Sequence, residues 1–376
     1  MQLLICPDGF KHSLTAIQAA EAIARHIRDI TTLHTLLVRP LTDGGEGFIE
    51  SYAYAVKHRR MTLSVRGPSG KQVKAQYLLL QNEPVAIIEM AQASGLMLSP
   101  NNDPLTATTY GTGELIADAL KQGATKIIIG LGGSATTDAG AGMAQALGYQ
   151  LLDQNNNPLP PGGVHLKDLH RINTDNVLPG VFTTTFVAAC DVTNPLTGSN
   201  GAATIYGPQK GADAHQVKAL NHSLSVFHDH IKQFHNITLN DIPGSGAAGG
   251  MGAGIHFFLR GRMASGFELI NQVMGLEQLI GDSDLIITGE GSLDRQTLNG
   301  KLVQQVCQLA KKTHKDVIAF AGKVALNDTQ QKEMGLKAAI QITPPDMQLE
   351  EAFAKAPDLL AEAVKNHIGR FLEGKE

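Results

Sequence analysis

Four short segments combine glycine with acidic, hydroxylated or basic residues, the residue types that bind phosphate groups and metal ions. The segments are PDGFKHSLTA at 7–16, TDGGEG at 42–47, KIIIGLGGSATTDAGAGM at 126–143 and DLIITGEGSLDRQTLNGK at 284–301. Each one follows an apolar run typical of a buried strand or precedes a predicted helix. Because ligands bind beyond the carboxyl ends of strands in an open parallel sheet, these segments predict where a ligand site lies.

The first two segments offer two kinds of ligand contact. Asp8 supplies a carboxylate and Lys11 an amine just before a predicted helix, whose N-terminal amides attract phosphate. Asp43 and Glu46 stand close together in a glycine turn that suits Mg²⁺ or a substrate hydroxyl. Both segments also have ordinary structural interpretations, since Asp8 could cap its own turn and an acidic hairpin could simply be solvated.

The third segment is typical of an anion-binding turn. Gly132, Gly133, Ser134 and Thr136 offer amides and hydroxyls with little side-chain bulk. Asp138 could hold a metal or cap the helix that follows.

The fourth segment places acidic residues just beyond a predicted strand. Glu290 and Asp294 follow that strand, and Lys301 lies near the start of the next predicted helix. The three residues could bind a metal and a phosphate, or they could form a helix cap and a surface ion pair. A further acid, Asp191 in VAACDVTNPL, is as well placed to hydrogen-bond its own turn as to act as a base.

The sequence does not support either of two common nucleotide-binding motifs. Gly244, Gly246 and Gly249 match G-x-G-x-x-G, but the preceding NDIP is not typical of the strand that a dinucleotide-binding unit requires. The sequence G-x-x-x-x-G-K-[ST] of a P-loop does not occur.

The histidines do not indicate zinc. His222, His228, His230 and His235 are predicted to lie on the exposed face of one helix, and the chain has no HExxH motif.

The elements that position these segments follow two patterns. Strands are predicted at 2–6 and 36–40, on either side of a helix that Thr15 could cap with Gln18 three residues on. From residue 61, three strand-like segments are joined by short turns, which predicts antiparallel pairing. Towards the C-terminus, strands at 284–291, 316–322 and 338–343 alternate with helices.

This alternation predicts an α/β fold with two domains. Residues 1–60 and 265–376 are expected to form a flavodoxin- or Rossmann-like doubly wound parallel sheet. Residues 61–264 are expected to form a distinct inserted α/β domain with antiparallel or mixed strands. The strand at 126–130 could belong to either domain.

Composition excludes several classes of protein. The 376 residues carry a net charge of −4, so no basic excess indicates a nucleic-acid partner. No apolar stretch reaches the ~20 residues that a membrane helix needs, and no signal peptide is evident. Three widely spaced cysteines do not form a disulfide framework. We therefore expect a cytoplasmic enzyme that acts on small molecules, with neither a nucleic-acid nor a membrane partner.

Together, the segments resemble the type I glycerate kinases, which make 2-phosphoglycerate. The matching stretches are PDGFKHSLTA, DGGEG, GLGGSATTDAGAGM, YGPQKGA at 206–212, GSGAAGGMGAG, and TGEGSLDRQT with NGK. The resemblance implies a flavodoxin-like domain with a distinct inserted α/β domain and an active site in the cleft. It also implies transfer of the ATP γ-phosphoryl group to a hydroxyl of D-glycerate, with Mg²⁺ as the metal.

The resemblance and the needs of phosphoryl transfer, which are positioning and charge neutralisation, assign roles to individual residues. Expected catalytic residues are Asp191 as the base, Lys11 as the main phosphate clamp, and Asp8. Nucleotide or phosphate binding is expected at Gly132, Gly133, Ser134, Thr136, Lys210 and Lys301. Substrate or metal binding is expected at Asp43, Glu46, Asp138, Glu290 and Asp294. The chain departs from the family pattern at Gly9, where Ser is usual, and at Ser292, where a basic residue is common.

Three other functions are compatible with these residues. The chain could phosphorylate the 3-hydroxyl of glycerate or another small hydroxy acid. It could be a nicotinamide-dependent oxidoreductase that uses GSGAAG as a pyrophosphate loop, or a non-catalytic sensor of a small acid. The choice of the 2-hydroxyl rests on the family resemblance alone.

Overall fold

The computed structural model has an α/β architecture and describes residues 1–10, 13–30, 34–42, 44–45, 47–98, 103–295 and 297–372. Its strands are β1 (Gln2–Ile5), β2 (Thr35–Val38), β3 (His58–Arg66), β4 (Gln72–Leu80), β5 (Val85–Glu89), β6 (Lys126–Gly130), β7 (Gln150–Leu152), β8 (Arg171–Asn173), β9 (Thr185–Ala189), β10 (Arg262–Ala264), β11 (Leu285–Leu293), β12 (Asp316–Val324) and β13 (Leu336–Gln341).

The α-helices lie between these strands and at the C-terminal end. They are α1 (Ala16–Ile30), α2 (Phe48–Ala55), α3 (Ala91–Ser94), α4 (Tyr110–Lys121), α5 (Ala141–Ala146), α6 (Gly180–Thr183), α7 (Ala202–Tyr206), α8 (Ala214–His235), α9 (Ala247–Leu259), α10 (Gly266–Met274), α11 (Leu276–Asp282), α12 (Leu302–Lys312), α13 (Asp328–Met334), α14 (Leu349–Ala354), α15 (Ala356–His367) and α16 (Gly369–Leu372). Short 3₁₀ turns occur at Leu96–Leu98, Gly163–Asp168, Pro208–Lys210, Leu239–Asp241 and Thr297–Asn299.

The chain divides into two compact units. Unit 1 consists of Met1–Asp43, Glu50–Val56 and Phe267–Glu376, and unit 2 consists of Gly44–Ile49 and Lys57–Gly266. The chain therefore enters unit 2 after residue 43, returns to unit 1 after residue 49, within α2, and enters unit 2 again after residue 56.

Unit 1 contains a parallel sheet in the order β13-β12-β11-β1-β2. Read from β2 by order in the chain, this is the 2-1-3-4-5 order of flavodoxin-like sheets, with a topological switch point between β1 and β11. The three central strands, β1, β11 and β12, are buried throughout most of their length, as parallel strands covered on both faces require. The predicted doubly wound α/β architecture is confirmed.

Helix α1 packs into the core of unit 1. Its N-terminus is held by the predicted pair, because Gln18 N donates to Thr15 Oγ1 at 3.2 Å and Thr15 N donates to Gln18 Oε1 at 2.9 Å. Ile23 of α1 and Leu360 of α15 are fully buried in the same cluster. Since a buried Leu or Ile side chain contributes about 1.5–3 kcal/mol, this face fixes α1 against the sheet.

Unit 2 contains a mixed sheet in the order β10-β9-β6-β5-β4-β3. Strands β3, β4 and β5 pair antiparallel as predicted, while β5, β6, β9 and β10 run parallel. Alternation along β4 buries Ala75 and Tyr77 in the core. The strand at 126–130, which the sequence left unassigned, is β6 of this sheet.

Two sequence expectations are wrong in detail. Glu290 does not follow a strand, because β11 continues to Leu293, paired with Val324 of β12. His228 and His230 are buried, while His222 and His235 are exposed as expected. Helix α8 packs against neighbouring elements over a wide arc, and the ring of His230 lies 4.6 Å from that of Phe234. No helix in the described part of the chain is both long and apolar enough for a bilayer crossing.

Candidate active site

The switch point of unit 1 brings two of the predicted acidic segments side by side. Asp8 lies just beyond β1, and its amide donates to the carbonyl of Gly289 in β11 at 2.8 Å. The half-buried carboxylate of Asp8 also accepts from Gly9 N at 2.7 Å through Oδ1. This hydrogen bond is the turn-capping contact that the sequence allowed, and it fixes the direction of the carboxylate.

Thr297 joins the two acids of the fourth segment. Its hydroxyl donates to Oε1 of the buried Glu290 at 2.6 Å and accepts from Asp294 N at 3.1 Å. The hydroxyl of Ser292 donates to Asp294 Oδ2 at 3.2 Å. At the end of β11, the Thr297 hydroxyl thus binds the buried carboxylate of Glu290 and the backbone of Asp294, and the Ser292 hydroxyl binds the half-buried carboxylate of Asp294.

Lys301 stands at the N-terminus of α12, as predicted. Its ammonium lies 3.9 Å from Asp294 Oδ1, and both side chains are about one-third exposed. An ion pair with this exposure contributes little to folding stability.

A buried lysine holds the hydroxyl-rich turn of unit 2. Lys210 is 3% exposed, and its ammonium donates to Ser134 Oγ at 2.9 Å and to the carbonyl of Thr136 at 2.6 Å. Burial lowers the pKa of Lys210 to about 7, against the opposing effect of the Asp138 charge. The sequence could not show that this lysine, far along the chain, reaches the turn after β6.

Asp138 is the main hydrogen-bond acceptor beneath the same turn. Its Oδ2 accepts from the amide and hydroxyl of Thr109 at 2.8 and 2.9 Å and from Gly142 N at 3.2 Å. Its Oδ1 accepts from Gly140 N at 3.2 Å. Burial raises the pKa of Asp138, and these four hydrogen bonds oppose that shift. The geometry is that of a structural clamp at the start of α5, one of the two possibilities left open by the sequence.

The motif GSGAAGGMGAG packs directly against this turn. Gly249 has a φ of +71°, and a Cβ there would lie 1.9 Å from the carbonyl oxygen of Thr136. Its own carbonyl accepts from Ala139 N at 3.1 Å. The motif follows the 3₁₀ turn at Leu239–Asp241 rather than a strand, so it lacks the context of a pyrophosphate loop.

Three buried hydroxyls near this contact have no hydrogen-bond partner within the described part of the chain. They belong to Thr136, Thr137 and Ser245. Buried polar groups in native proteins are nearly always satisfied, so unpaired hydroxyls at a loop contact are typical of a site that accepts water or a ligand.

Asp191 lies two residues beyond β9 and is exposed. Its Oδ1 accepts from Gly266 N, the first residue of α10, at 3.2 Å. The carboxylate is thus oriented by a backbone amide while it stays accessible to solvent.

Three of the predicted site residues, Lys11, Asp43 and Glu46, lie outside the described residues. Their roles stay predictions. Sequence reasoning missed Glu89, a carboxylate at the end of β5 that is only 2% exposed. Its one signal in the sequence is an acidic residue that closes the apolar run VAII.

Fold and loops define a two-unit α/β protein whose glycine-, hydroxyl- and acid-bearing segments lie at the ends of parallel strands. Residues 3–372 match the model of the glycerate kinase family. The chain therefore belongs to the glycerate kinase family.

Individual relatives cover nearly the whole chain. It is 43% identical to a glycerate kinase of Halalkalibacterium halodurans over 97% of this chain and 96% of that protein. It is 42% identical to glycerate 2-kinase of Escherichia coli over 97% of both chains. A crystal structure of a Salmonella typhimurium LT2 protein provisionally named glycerate kinase 2 superposes with a TM-score of 0.86 at 39% identity, covering 100% of this chain and 99% of that one.

Proposed function

We propose that this glycerate kinase transfers the γ-phosphoryl group of Mg-ATP to the 2-hydroxyl of D-glycerate, giving 2-phosphoglycerate and ADP. The observation that carries the proposal is the hydroxyl-rich turn held by the buried ammonium of Lys210. This arrangement supports anion binding, since a positive charge beneath a turn of amides and hydroxyls attracts phosphate. The full-length similarity to a relative named glycerate 2-kinase supports the choice of substrate and hydroxyl.

Asp191 is the proposed base. Its carboxylate is exposed, and the hydrogen bond from Gly266 N holds it in one direction. A carboxylate positioned in this way accepts the proton of a substrate hydroxyl as the hydroxyl attacks phosphorus. Asp8, which is oriented by Gly9 N, is the second proposed catalytic carboxylate.

Phosphate oxygens are bound by the turn at 132–136 and by cationic side chains. Amide and hydroxyl donors are supplied by Gly132, Gly133, Ser134 and Thr136. Within the part of the chain that the structure describes, the hydroxyl of Thr136 has no hydrogen-bond partner, so it can make such a contact. Lys210 supplies charge from beneath the turn, and Lys301 supplies it beside Asp294. Lys11 is the proposed principal phosphate clamp, on sequence grounds.

Magnesium fits the acids of unit 1. In phosphoryl-transfer sites this ion uses one or two carboxylates together with substrate phosphates and water, so a dedicated cluster of three protein ligands is not required. No such cluster occurs among the described residues. Glu290 and Asp294, which Thr297 holds together, would bind the ion. Bound Mg²⁺ would neutralise the charge on the phosphate oxygens.

The remaining predicted residues divide into two groups. Asp43 and Glu46 are proposed to contact D-glycerate or the metal. Asp138 is proposed to hold the 134–142 segment in shape rather than to bind a metal, because its oxygens already accept four hydrogen bonds. We further propose that units 1 and 2 are the two domains expected from the sequence.

The test is formation of ADP by the purified protein with Mg-ATP and a panel of acids. We expect turnover with D-glycerate, much weaker turnover with L-glycerate and glycolate, and loss of turnover with EDTA that added Mg²⁺ restores. A folded protein that is stabilised by ATP but produces no acid-dependent ADP would contradict the proposal. Protection by NADH rather than ATP would favour the oxidoreductase alternative instead.

A further inference from the structure

A buried glutamate far along the chain holds the start of helix α2. Glu89 is the last residue of β5 and is 2% exposed. Its Oε1 accepts from Gly47 N at 3.3 Å, and its Oε2 accepts from Ile49 N at 3.2 Å. Both carboxylate oxygens therefore bind backbone amides of one short segment.

This contact replaces an ordinary helix cap. The first amides of a helix lack partners within the helix, and a local Ser, Thr, Asp or Asn side chain usually accepts from them. Gly47, which precedes α2, has no side chain to do so. The carboxylate of Glu89 supplies the acceptors and places its negative charge at the positive end of the helix dipole.

The end of the neighbouring strand β6 also contacts this segment. Phe48 is fully buried, and a Cβ on Gly130 would lie 2.7 Å from its ring and 3.0 Å from the carbonyl oxygen of Gly44. Gly132 N donates to that same carbonyl at 3.2 Å. The described parts of the segment 44–49 are therefore fixed to the ends of β5 and β6 within unit 2.

We infer that Glu89 is a positioning residue for the reaction, acting through the backbone on the loop that bears Asp43 and Glu46. The inference rests on the proposed function, in which these two carboxylates contact D-glycerate or the metal. Glu89 acts on this loop through the backbone, since it is buried and its two oxygens accept from Gly47 N and Ile49 N. The segment TDGGEG at 42–47 is glycine-rich, and glycine gives a backbone little conformational preference of its own.

The variant Glu89→Gln tests the clamp with almost no change in size. Its amide keeps one acceptor oxygen but turns an NH₂ group towards one of the two backbone amides. We expect the half-saturating concentration of D-glycerate or of Mg²⁺ to rise about 10-fold, because small displacements of positioning groups have effects of this size or larger. Simple destabilisation would lower the active fraction, and hence kcat, without moving either concentration.

Glu114→Gln is the matched control. Glu114 also lies in unit 2, and its Oε2 accepts from the backbone amide of Arg66 at 2.6 Å, away from the 44–49 segment. We expect both half-saturating concentrations for this variant to stay within about twofold of the wild type. Wild-type-like values for Glu89→Gln as well would overturn the inference.

A second variant reaches the same segment without changing Glu89. Gly130→Ala pushes Phe48 and Gly44 away from the strand end, so it should reproduce the kinetic defect even if Glu89→Gln does not fold. If both variants fold, the double variant should show less than the product of the two single effects, since both release one loop. Fully multiplicative effects would contradict a shared loop.

Amide hydrogen exchange separates this inference from the proposed function. Peptides covering 44–49 should exchange faster in Glu89→Gln than in the wild type and in Glu114→Gln. If the 44–49 peptides exchange faster in Glu89→Gln but the wild-type protein makes no phosphoglycerate, the proposed function is rejected and the clamp is kept. Unchanged exchange, with normal turnover in Glu89→Gln, would reject the clamp and keep the function.

Discussion

The amide of Asp8 donates a 2.8 Å hydrogen bond to the carbonyl of Gly289, the residue before Glu290. This bond joins two acidic segments from opposite ends of the chain at the switch point of the flavodoxin-like sheet. Ligands bind at such points because the loops from the two strands diverge to opposite faces of the sheet and leave a crevice. The topology therefore explains why Asp8 and Glu290 can serve one site although they are remote in sequence.

Replacement of Asp191 by Asn tests the proposed base. The amide keeps an oxygen that can accept from Gly266 N, but it cannot take up a proton, so kcat should fall by about 100-fold or more. The KM for ATP should change little. Steady-state kinetics would check both values, and a fall in kcat of less than about tenfold would remove Asp191 from this role. Asp153→Asn, in an exposed turn that its carboxylate caps, is the control and should keep normal turnover.

Asp138→Asn separates a structural clamp from a metal ligand. One carboxylate oxygen would become an NH₂ group facing backbone amides, so the variant should lose about 2–4 kcal/mol of unfolding free energy. The half-saturating Mg²⁺ concentration of the folded fraction should not move. Urea denaturation and a Mg²⁺ titration would measure the two effects, with the exposed Asp103→Asn as control. A large shift in Mg²⁺ dependence with normal stability would contradict the structural role.

Gly249→Ala should disturb the turn at 134–138, against which Gly249 packs. Its Cβ would lie 1.9 Å from the carbonyl oxygen of Thr136 on a backbone with positive φ, so we expect a loss of at least about 2 kcal/mol in stability together with weaker ATP binding. The neighbour Ala248 also has a positive φ, of 51°. Ala248→Gly removes that strain and should be neutral or stabilise by about 1 kcal/mol. A Gly249→Ala protein as stable as the wild type would show that the contact is not tight.

Lys210 should make stability depend on pH. Burial lowers its pKa from an ordinary 10.5 to about 7 in the folded state. Between these values the unfolded chain binds more protons, so the unfolding free energy contributed by this group rises with pH. Below about 7 both states are protonated, and the penalty of burying the charge is present in full.

The variant Lys210→Met should remove this dependence. Thermal unfolding between pH 7 and 9 would show the wild type gaining stability relative to Lys210→Met as pH rises. The exposed Lys218→Met should run parallel to the wild type. Parallel curves for Lys210→Met would mean that the lysine keeps its proton in the folded protein throughout this range.

Local patterns predicted the local structure well. The capping pair Thr15 and Gln18, the alternation along β4 and the antiparallel turns between β3, β4 and β5 all depend on residues close in sequence. The strand predicted at 284–291 ends two residues before β11 does, at Leu293. Pairing with β12 up to Leu293 and Val324 keeps those residues extended.

Long-range contacts could not be derived from local patterns. Lys210 was selected only through the family resemblance, because nothing in YGPQKGA indicates a contact with Ser134. Glu89 was missed because its partners, Gly47 and Ile49, lie on a different element and leave no mark in the sequence around it. Likewise, the burial of His228 and His230 depends on what packs against α8, which the polarity of the helix does not reveal.

The proposed reaction is tested most directly by ³¹P NMR of a mixture containing the purified protein, Mg-ATP and D-glycerate. We expect a growing 2-phosphoglycerate resonance that matches the ADP formed. A 3-phosphoglycerate resonance would keep a glycerate kinase but contradict the assigned hydroxyl. Intact ATP, with a protein shown by thermal shift to be folded, would contradict the proposed phosphoryl transfer altogether.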